Sequence, residues 1–287
     1  MSTPENQNSA FKDRVREDWT RGALAWRKWH GPFVELTESA TGQIVAAAQA
    51  AQEMHILDVA SGSGEPALTL ADAVGPRGRV TATDLVPEML SIAEEHARAR
   101  GLTNIEFRQA DAEALPFADA SFDAVTCRFG IMFCPNAEVA LREIRRVLKP
   151  GGRAAFLVWG AFEKNPYFTT TAGVFMQHVK LPPPPPGTPT PFTFAEPGSL
   201  STAMQAAGFK GIVEEAVTIP WVFPGPAQKC WDFIHEVTGP VFHRFFAALP
   251  PDRHAQVLAE VLAAIGRYQE GRRVHFSADV IVVTGMR

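Results

Sequence analysis

The chain has 287 residues, 46% of them apolar and 20% charged, with a formal net charge of −4. That length can bury a substantial core, and a mean hydropathy near zero excludes both a disordered chain and a membrane-embedded one. Mild acidity without a long basic run argues against a nucleic-acid partner, and no apolar run approaches the roughly 20 residues of a membrane span.

In chain order, FKDRVREDWTRGALAWRKW reads as a helix with Trp19, Trp26 and Trp29 on one face. Gly31-Pro32 is expected to end it, and FVELTESATGQIVAAAQAA to form a second helix. From His55 the pattern alternates between strand and helix. HILDVA (55–60), RVTATD (79–84), NIEFRQA (104–110), FDAVTCRF (122–129) and GRAAFLVWG (152–160) read as strands. Between them lie a helix opened near Pro66, the helix PEMLSIAEEHARAR and the amphipathic helix AEVALREIRRVL. This alternation predicts a doubly wound α/β fold, a parallel sheet of about seven strands with helices on both faces.

The second half is more broken. Of the 23 prolines, seven fall between Pro182 and Pro191, in a run that is extended and excluded from a sheet interior. TTTAGVFMQHV and SLSTAMQAAGF read as helices, and residues 226–270 as helical in two pieces split at Leu249-Pro250-Pro251. Residues 211–223 and 273–287 read as the last two strands, pairing antiparallel. The chain therefore divides into an N-terminal helical segment (1–53), a core (54–160) and a substrate cap with the final strands (161–287).

The chemistry concentrates at Asp58-Val-Ala-Ser-Gly-Ser-Gly64. Gly62 and Gly64 let the backbone approach a ligand and turn sharply into a helix N-terminus. Asp84 ends the next strand, where a carboxylate can accept from both hydroxyls of a ribose. Gly62-Ser-Gly-Glu-Pro-Ala67 also fits the dinucleotide fingerprint, so a nicotinamide oxidoreductase stands as the rival reading. Neither Tyr167 nor Tyr268 has a lysine four residues on, which removes the usual proton-donor pair of short-chain dehydrogenases.

Three further segments follow: Gln109-Ala-Asp-Ala-Glu-Ala-Leu-Pro-Phe117, Ser121-Phe-Asp-Ala-Val-Thr-Cys127 and Leu148-Lys-Pro-Gly-Gly152. Together with the glycine loop and TDLVPEMLSIA (83–93), this ordered set resembles the class I S-adenosylmethionine-dependent methyltransferases, in the branch of the ubiquinone/menaquinone-biosynthesis enzymes. The resemblance runs from about residue 54 to 160 and implies a Rossmann-like methyltransferase sheet with helical cap insertions. It implies S-adenosyl-L-methionine as cofactor, with Asp58 organising the glycine loop and the backbone around Ala60, Gly62 and Gly64 facing the methionine part. Asp84 would hold the ribose, and Leu85 and Met89 would lie against the adenine. Asp111 would accept from the adenine amino group, and the Ala112 N–H would donate to the ring. Arg128 and Phe129 would line the methyl end. The family's loop usually begins with glycine where this chain has Ala60. The helix bearing Trp26 resembles the N-terminal lid of the branch.

Methyl transfer by in-line displacement needs alignment and exclusion of water, and needs a general base only if the acceptor must lose a proton. Candidates for that base are His178, His235, Glu236 and His243, with His235-Glu236 set in an aromatic segment. His55 and His96 are expected to face solvent. Cys127, Cys134 and Cys230 are sparse and odd in number, with no CxxC pair, so neither a disulfide framework nor a metal site is expected. The sparse cysteines point to a reducing cytoplasm, and the polar opening lacks the apolar core of a secretory signal; a monomer or a homodimer is expected.

Trp221, Phe223, Trp231, Phe233, Phe242, Phe245 and Phe246 suggest an apolar pocket for a small-molecule acceptor, aromatic or isoprenoid-like. The rigid proline run, flanked by Phe192 and Phe194, is expected to cross its mouth. A protein that binds the cofactor without turnover is the non-enzymatic alternative.

Overall fold

The computed structural model describes residues 4–185 and 187–287, so residues 1–3 of the N-terminal segment and Pro186 of the proline run lie outside the described residues. Two helices open the chain, α1 (Pro4–Leu36) and α2 (Glu38–Ala47). The alternating region follows as β1 (His55–Val59), α3 (Ala67–Val74), β2 (Arg79–Asp84), α4 (Pro87–Ala99), β3 (Ile105–Gln109), β4 (Phe122–Arg128), α5 (Ala137–Val147) and β5 (Leu148–Trp159). Then come α6 (Pro166–Thr169), α7 (Ala172–His178), α8 (Ser199–Ala206) and β6 (Lys210–Phe223). The chain closes with α9 (Ala227–Val237), α10 (Gly239–Ala248), α11 (His254–Gly266), β7 (Gln269–Glu270) and β8 (Arg273–Met286).

The sheet order is β3-β2-β1-β4-β5-β8-β6, with the short β7 hairpinned onto β8, so eight strands replace the seven anticipated. Strands β1 to β5 run parallel, while β8 inserts antiparallel between β5 and β6. Both faces are covered, which explains why the central strands are apolar at successive positions. Ile56 packs on one face with Leu70 and Val74 of α3. Leu57 and Val59 belong to the other face, with Leu141 and Ile144 of α5. Strand order reverses between β1 and β4, the place in an open α/β sheet where ligands bind outside the carboxyl ends of the strands.

Two expectations about helix ends are corrected. Gly31-Pro32 does not end a helix, because α1 runs through it to Leu36. A helix-interior proline costs ~3 kcal/mol, and burial of its neighbours offsets that cost. Trp29 and Leu36 are buried, and the Trp26 ring meets Phe33 edge-on at 4.7 Å. Residues 226–270 form three helices rather than two, since Thr238-Gly239-Pro240 makes an additional break and places Pro240 in the first turn of α10.

Candidate active site

The loop after β1 is held from below. Asp58 is fully buried, and its Oδ1 accepts from Thr126 Oγ1 at 2.6 Å across the β1–β4 pair. Its backbone carbonyl accepts from Ser61 Oγ and from Thr83 Oγ1, each at 3.0 Å, so one residue ties β1, β2 and the loop together. Asp58 Oδ2 is buried and has no hydrogen-bond partner among the described residues. Burial pushes the Asp58 carboxyl up to about 7, against the opposing pull of Thr126, Ser61 and the Arg128 charge.

Above this anchor, Ala60, Gly62 and Gly64 all adopt positive φ, at 57°, 53° and 123°. A side chain on Gly64 would stand 2.8 Å from Leu68 Cδ1, so the turn into α3 closes only on glycine. Ala60 carries its methyl in the left-handed region, and that methyl fills the space a side chain on Gly130 would need. The departure from glycine at 60 is thus matched by glycine at 130.

Asp84 faces the loop from the end of β2. Its Oδ2 accepts from the Gly62 N–H at 2.9 Å and its Oδ1 from the Val86 N–H at 2.9 Å. Desolvation raises its pKa while the Val86, Gly62 and Leu85 N–H groups pull the other way. Each oxygen retains a second lone pair for an incoming hydroxyl. Leu85 is half-buried, and Met89 Cε lies 3.8 Å from where a Gly62 side chain would begin.

Asp111 and Ala114 form an isolated antiparallel bridge after β3, with Ala112 at the tip of the turn. Asp111 Oδ1 accepts from the Glu113 N–H at 2.9 Å, and Oδ2 accepts from Lys12 Nζ at 2.7 Å. The carboxyl ends of β1, β2, β3 and β4, with the segments that follow them, thus carry Asp58, Ala60, Gly62, Gly64, Asp84, Leu85, Met89, Asp111, Ala112, Arg128 and Phe129 at one end of the parallel strands.

Arg128 and Phe129 diverge from there. The Arg128 guanidinium is buried, donating to Thr41 Oγ1 at 2.8 Å and to the Glu65 carbonyl at 2.9 Å, and so braces α2 against the glycine loop. Burial lowers its pKa to about 10, opposed by Glu65 and Asp58. Phe129 sits at φ 58°, a strained position for a bulky residue, and stacks on Trp159 at 4.3 Å.

Trp159 ends β5 and meets Trp221 of β6 edge-on at 5.0 Å, while Tyr167 packs edge-on to Trp221 at 6.1 Å. Phe129, Trp159, Tyr167 and Trp221 form one aromatic wall beside the β4 loop. Of the cap aromatics expected around the pocket, only Trp221 belongs to it. Trp231, Phe242, Phe245 and Phe246 surround Phe175 of α7, and Phe223 stacks with Phe233. Phe192, after the proline run, packs on Phe162 and Phe168 next to the wall. Trp26 is buried between Trp19 and Phe33, and its Nε1 has no partner among the described residues.

The base candidates have other partners. His178 Nε2 lies 2.6 Å from Glu260 Oε2, joining α7 to α11. Glu236 accepts from Lys28 Nζ at 2.8 Å and from Trp29 Nε1 at 2.8 Å, joining α9 to α1. His235 packs on Trp231 and stands 6.2 Å, ring to ring, from His243, with burial and that neighbour lowering its pKa. His55 and His96 are not solvent-facing. His55 bonds Thr81 Oγ1 at 3.1 Å and packs on Phe122, and His96 stacks on His30 at 3.3 Å.

Lys12, Glu65, Trp159 and Tyr167 join the site without having been expected there. Trp159 alone carries a signal in the sequence, as the aromatic ending a strand whose carboxyl end faces the crevice.

A family model described as the ubiE/COQ5 methyltransferase family matches residues 27–181. The ubiquinone/menaquinone biosynthesis C-methyltransferase UbiE of Sinorhizobium fredii is 45% identical over 113 residues, 39% of this chain and 44% of that protein. An uncharacterised protein of Mycobacterium tuberculosis is 37% identical over 150 residues, 50% of this chain and 53% of its own length. The chain thus aligns with about half or less of the length of these curated relatives. Among solved structures, the YcgJ protein of Bacillus subtilis superposes with a TM-score of 0.55 at 22% identity, covering 86% of this chain and 97% of that one. That likeness speaks to the fold.

Proposed function

This chain belongs to the ubiE/COQ5 methyltransferase family, and from that premise we propose that it transfers a methyl group from S-adenosylmethionine to a small, apolar or aromatic acceptor. The observation that carries the reading is the Gly62–Asp84 pair, which ties the loop beside the strand-order reversal to the end of β2, with the unpartnered Asp58 Oδ2 at the end of β1. These residues fit the cofactor: a glycine loop open to close approach, a carboxylate with free lone pairs for ribose hydroxyls, and a buried polar atom without a partner at the base of the loop. The family match weighs against the nicotinamide alternative that the same glycines allow.

When bound, S-adenosylmethionine supplies a methyl group on an activated sulfonium, which passes to a nucleophile in line with the carbon–sulfur bond. The chain's own contribution is placement. Asp84 fixes the ribose, Asp111 the base, and the loop from Ala60 to Gly64 the methionine part. Phe129, held at strained φ against Trp159, forms the boundary between cofactor and acceptor. The aromatic wall orients a flat or apolar acceptor and keeps water from the reacting atoms. His178 is engaged by Glu260 of α11, and Glu236 by Lys28 and Trp29 of α1, which supports an acceptor that draws no base from those two.

The test is a methyl-transfer screen of the full chain with deuteromethyl-labelled cofactor and mass detection. One acceptor set contains apolar phenols and quinols, the other polar amines and peptides. Labelled product confined to the apolar set supports the proposal, and product confined to the polar set overturns it.

A further inference from the structure

Asp111, read above as the adenine acceptor, already has a cationic partner. Lys12 Nζ lies 2.7 Å from Asp111 Oδ2 and 2.7 Å from Glu113 Oε2. Asp111 Oδ1 is engaged by the Glu113 N–H, so the Lys12 ammonium on Oδ2 is the contact that an incoming base donor must share or displace. Glu113 is fixed from the other side, its Oε1 accepting the Asn136 N–H at 2.7 Å, which leaves Lys12 as the partner free to move. Lys12 is on the part of α1 that lies over the site: Thr20 Oγ1 donates to Glu88 Oε2 on α4 at 3.1 Å, and Trp19 packs on Phe133 after β4. Arg16 and Arg21 pair within the helix, with Asp13 and Asp18, and so do not tie it to the sheet. Burial works against the Lys12 charge, and the two carboxylates outweigh it, leaving its pKa above the ordinary value.

We propose that Lys12 is a cofactor-site residue that competes with the adenine amino group for Asp111, so that binding of the nucleoside is coupled to movement of the first turns of α1. The inference rests on the reading of Asp111 as the adenine acceptor. An amino group of adenine is a neutral donor, whereas Lys12 is charged and makes the stronger bond to a carboxylate. Entry of the base therefore exchanges a charge-assisted contact for a neutral one at Asp111. Glu113 gives the latch its second position, because Lys12 keeps one carboxylate after it releases the other. The Lys12 pairs are partly exposed, with side-chain accessibilities of 23% for Lys12, 32% for Asp111 and 11% for Glu113. Salt weakens such contacts, while S-adenosylhomocysteine carries no net charge and is little affected directly. Cofactor affinity should consequently rise with ionic strength, against the usual direction for charged sites.

The experiment is titration calorimetry of the full chain with S-adenosylhomocysteine and with S-inosylhomocysteine, which lacks the amino group, at low and high salt. The proteins are wild type, Lys12→Met and Lys12→Gln. We expect both variants to bind S-adenosylhomocysteine several-fold more tightly at low salt, and the salt-dependent gain of the wild type to disappear in them. Wild type that prefers the adenine ligand, with variants that bind it no more tightly, overturns the latch and leaves Asp111 as the adenine acceptor. Equal affinity of Lys12→Met for the two ligands overturns the Asp111 assignment and the latch with it. No binding of S-adenosylhomocysteine by any of the three proteins overturns the methyltransferase reading itself. The salt series on unmodified protein tests the latch even if a variant fails to fold: a wild-type affinity that does not rise with salt contradicts it.

Discussion

The Gly62 N–H donates to Asp84 Oδ2 at 2.9 Å, joining the loop after β1 to the end of β2 across 22 residues of sequence. The carboxylate thereby shapes the loop and also presents its remaining lone pairs to a ribose. Asp84→Asn keeps an acceptor oxygen but loses the charge, and loss of a hydrogen bond to a charged group costs about 1.5–3 kcal/mol. Affinity for S-adenosylhomocysteine should fall roughly 10- to 100-fold, as read by titration calorimetry. An unchanged affinity would remove Asp84 from the ribose site.

The methyl of Ala60 and the bare Cα of Gly130 share one space. Gly130→Ala should destabilise the protein by about 1–3 kcal/mol, the usual cost of overpacking, because the new methyl meets Ala60 and stands 2.9 Å from Cys127 Sγ. Ala60→Gly relieves a left-handed alanine worth about 1 kcal/mol and opens that space. The cost of Gly130→Ala should therefore shrink in the Ala60→Gly background. Urea unfolding of the four proteins in the cycle measures the coupling, and strict additivity would show that the two positions do not share the space.

Asp58 sets a pH dependence of unusual sign for a carboxylate. Burial raises its value from 3.8 to about 7, so between those limits the native chain keeps a proton that the unfolded chain gives up. Native protein binds more protons than unfolded, and stability falls as pH rises through that window and levels off above it. Asp58→Asn removes this contribution while keeping an acceptor for Thr126. The stability difference, wild type minus variant, should decrease from pH 4 to 7 in chemical unfolding. A difference that is flat or increases would show that Asp58 ionises normally.

The His30–His96 stack acts in the acid direction. Burial and the charges of His96 and Arg100 lower His30 from 6.5 to about 4, so over this range the unfolded chain takes up a proton that the native chain refuses. That contribution to stability is present above pH 6.5 and is lost as pH falls towards 4. His30→Phe preserves an aromatic ring on His96 and should narrow the drop in thermal midpoint between pH 7 and 5 by a few degrees, since ~1 kcal/mol corresponds to roughly 2–4 °C in a protein of this size. An undiminished drop would place the acid sensitivity elsewhere.

The cofactor half was legible because each strand and helix from His55 to Trp159 announces itself over a short window, by apolar runs ending at Asp58, Asp84 or Arg128 and by glycines where the chain must turn. The antiparallel pairing of β6 and β8 was legible for the same reason. The continuation of α1 through Pro32 was not, since it depends on Trp26, Trp29 and Leu36 finding burial against remote elements. The break at Thr238 was missed because the apolar residues of α9 and α10 continue on both sides of it. Lys12 and Asp111 are 99 residues apart, and Trp159 and Trp221 come from different halves of the chain. Such contacts are made by topology and leave no periodic mark in the sequence.

Everything proposed for the chemistry depends on the crevice at the carboxyl ends of β1, β2 and β4 holding an S-adenosyl cofactor. Calorimetric titration of the wild-type chain with S-adenosylhomocysteine, and in parallel with NAD, decides whether it does. Saturable binding of S-adenosylhomocysteine at one site per chain, with no heat from NAD, is the expected outcome. Saturable binding of NAD with none of S-adenosylhomocysteine would refute the assignment of the crevice.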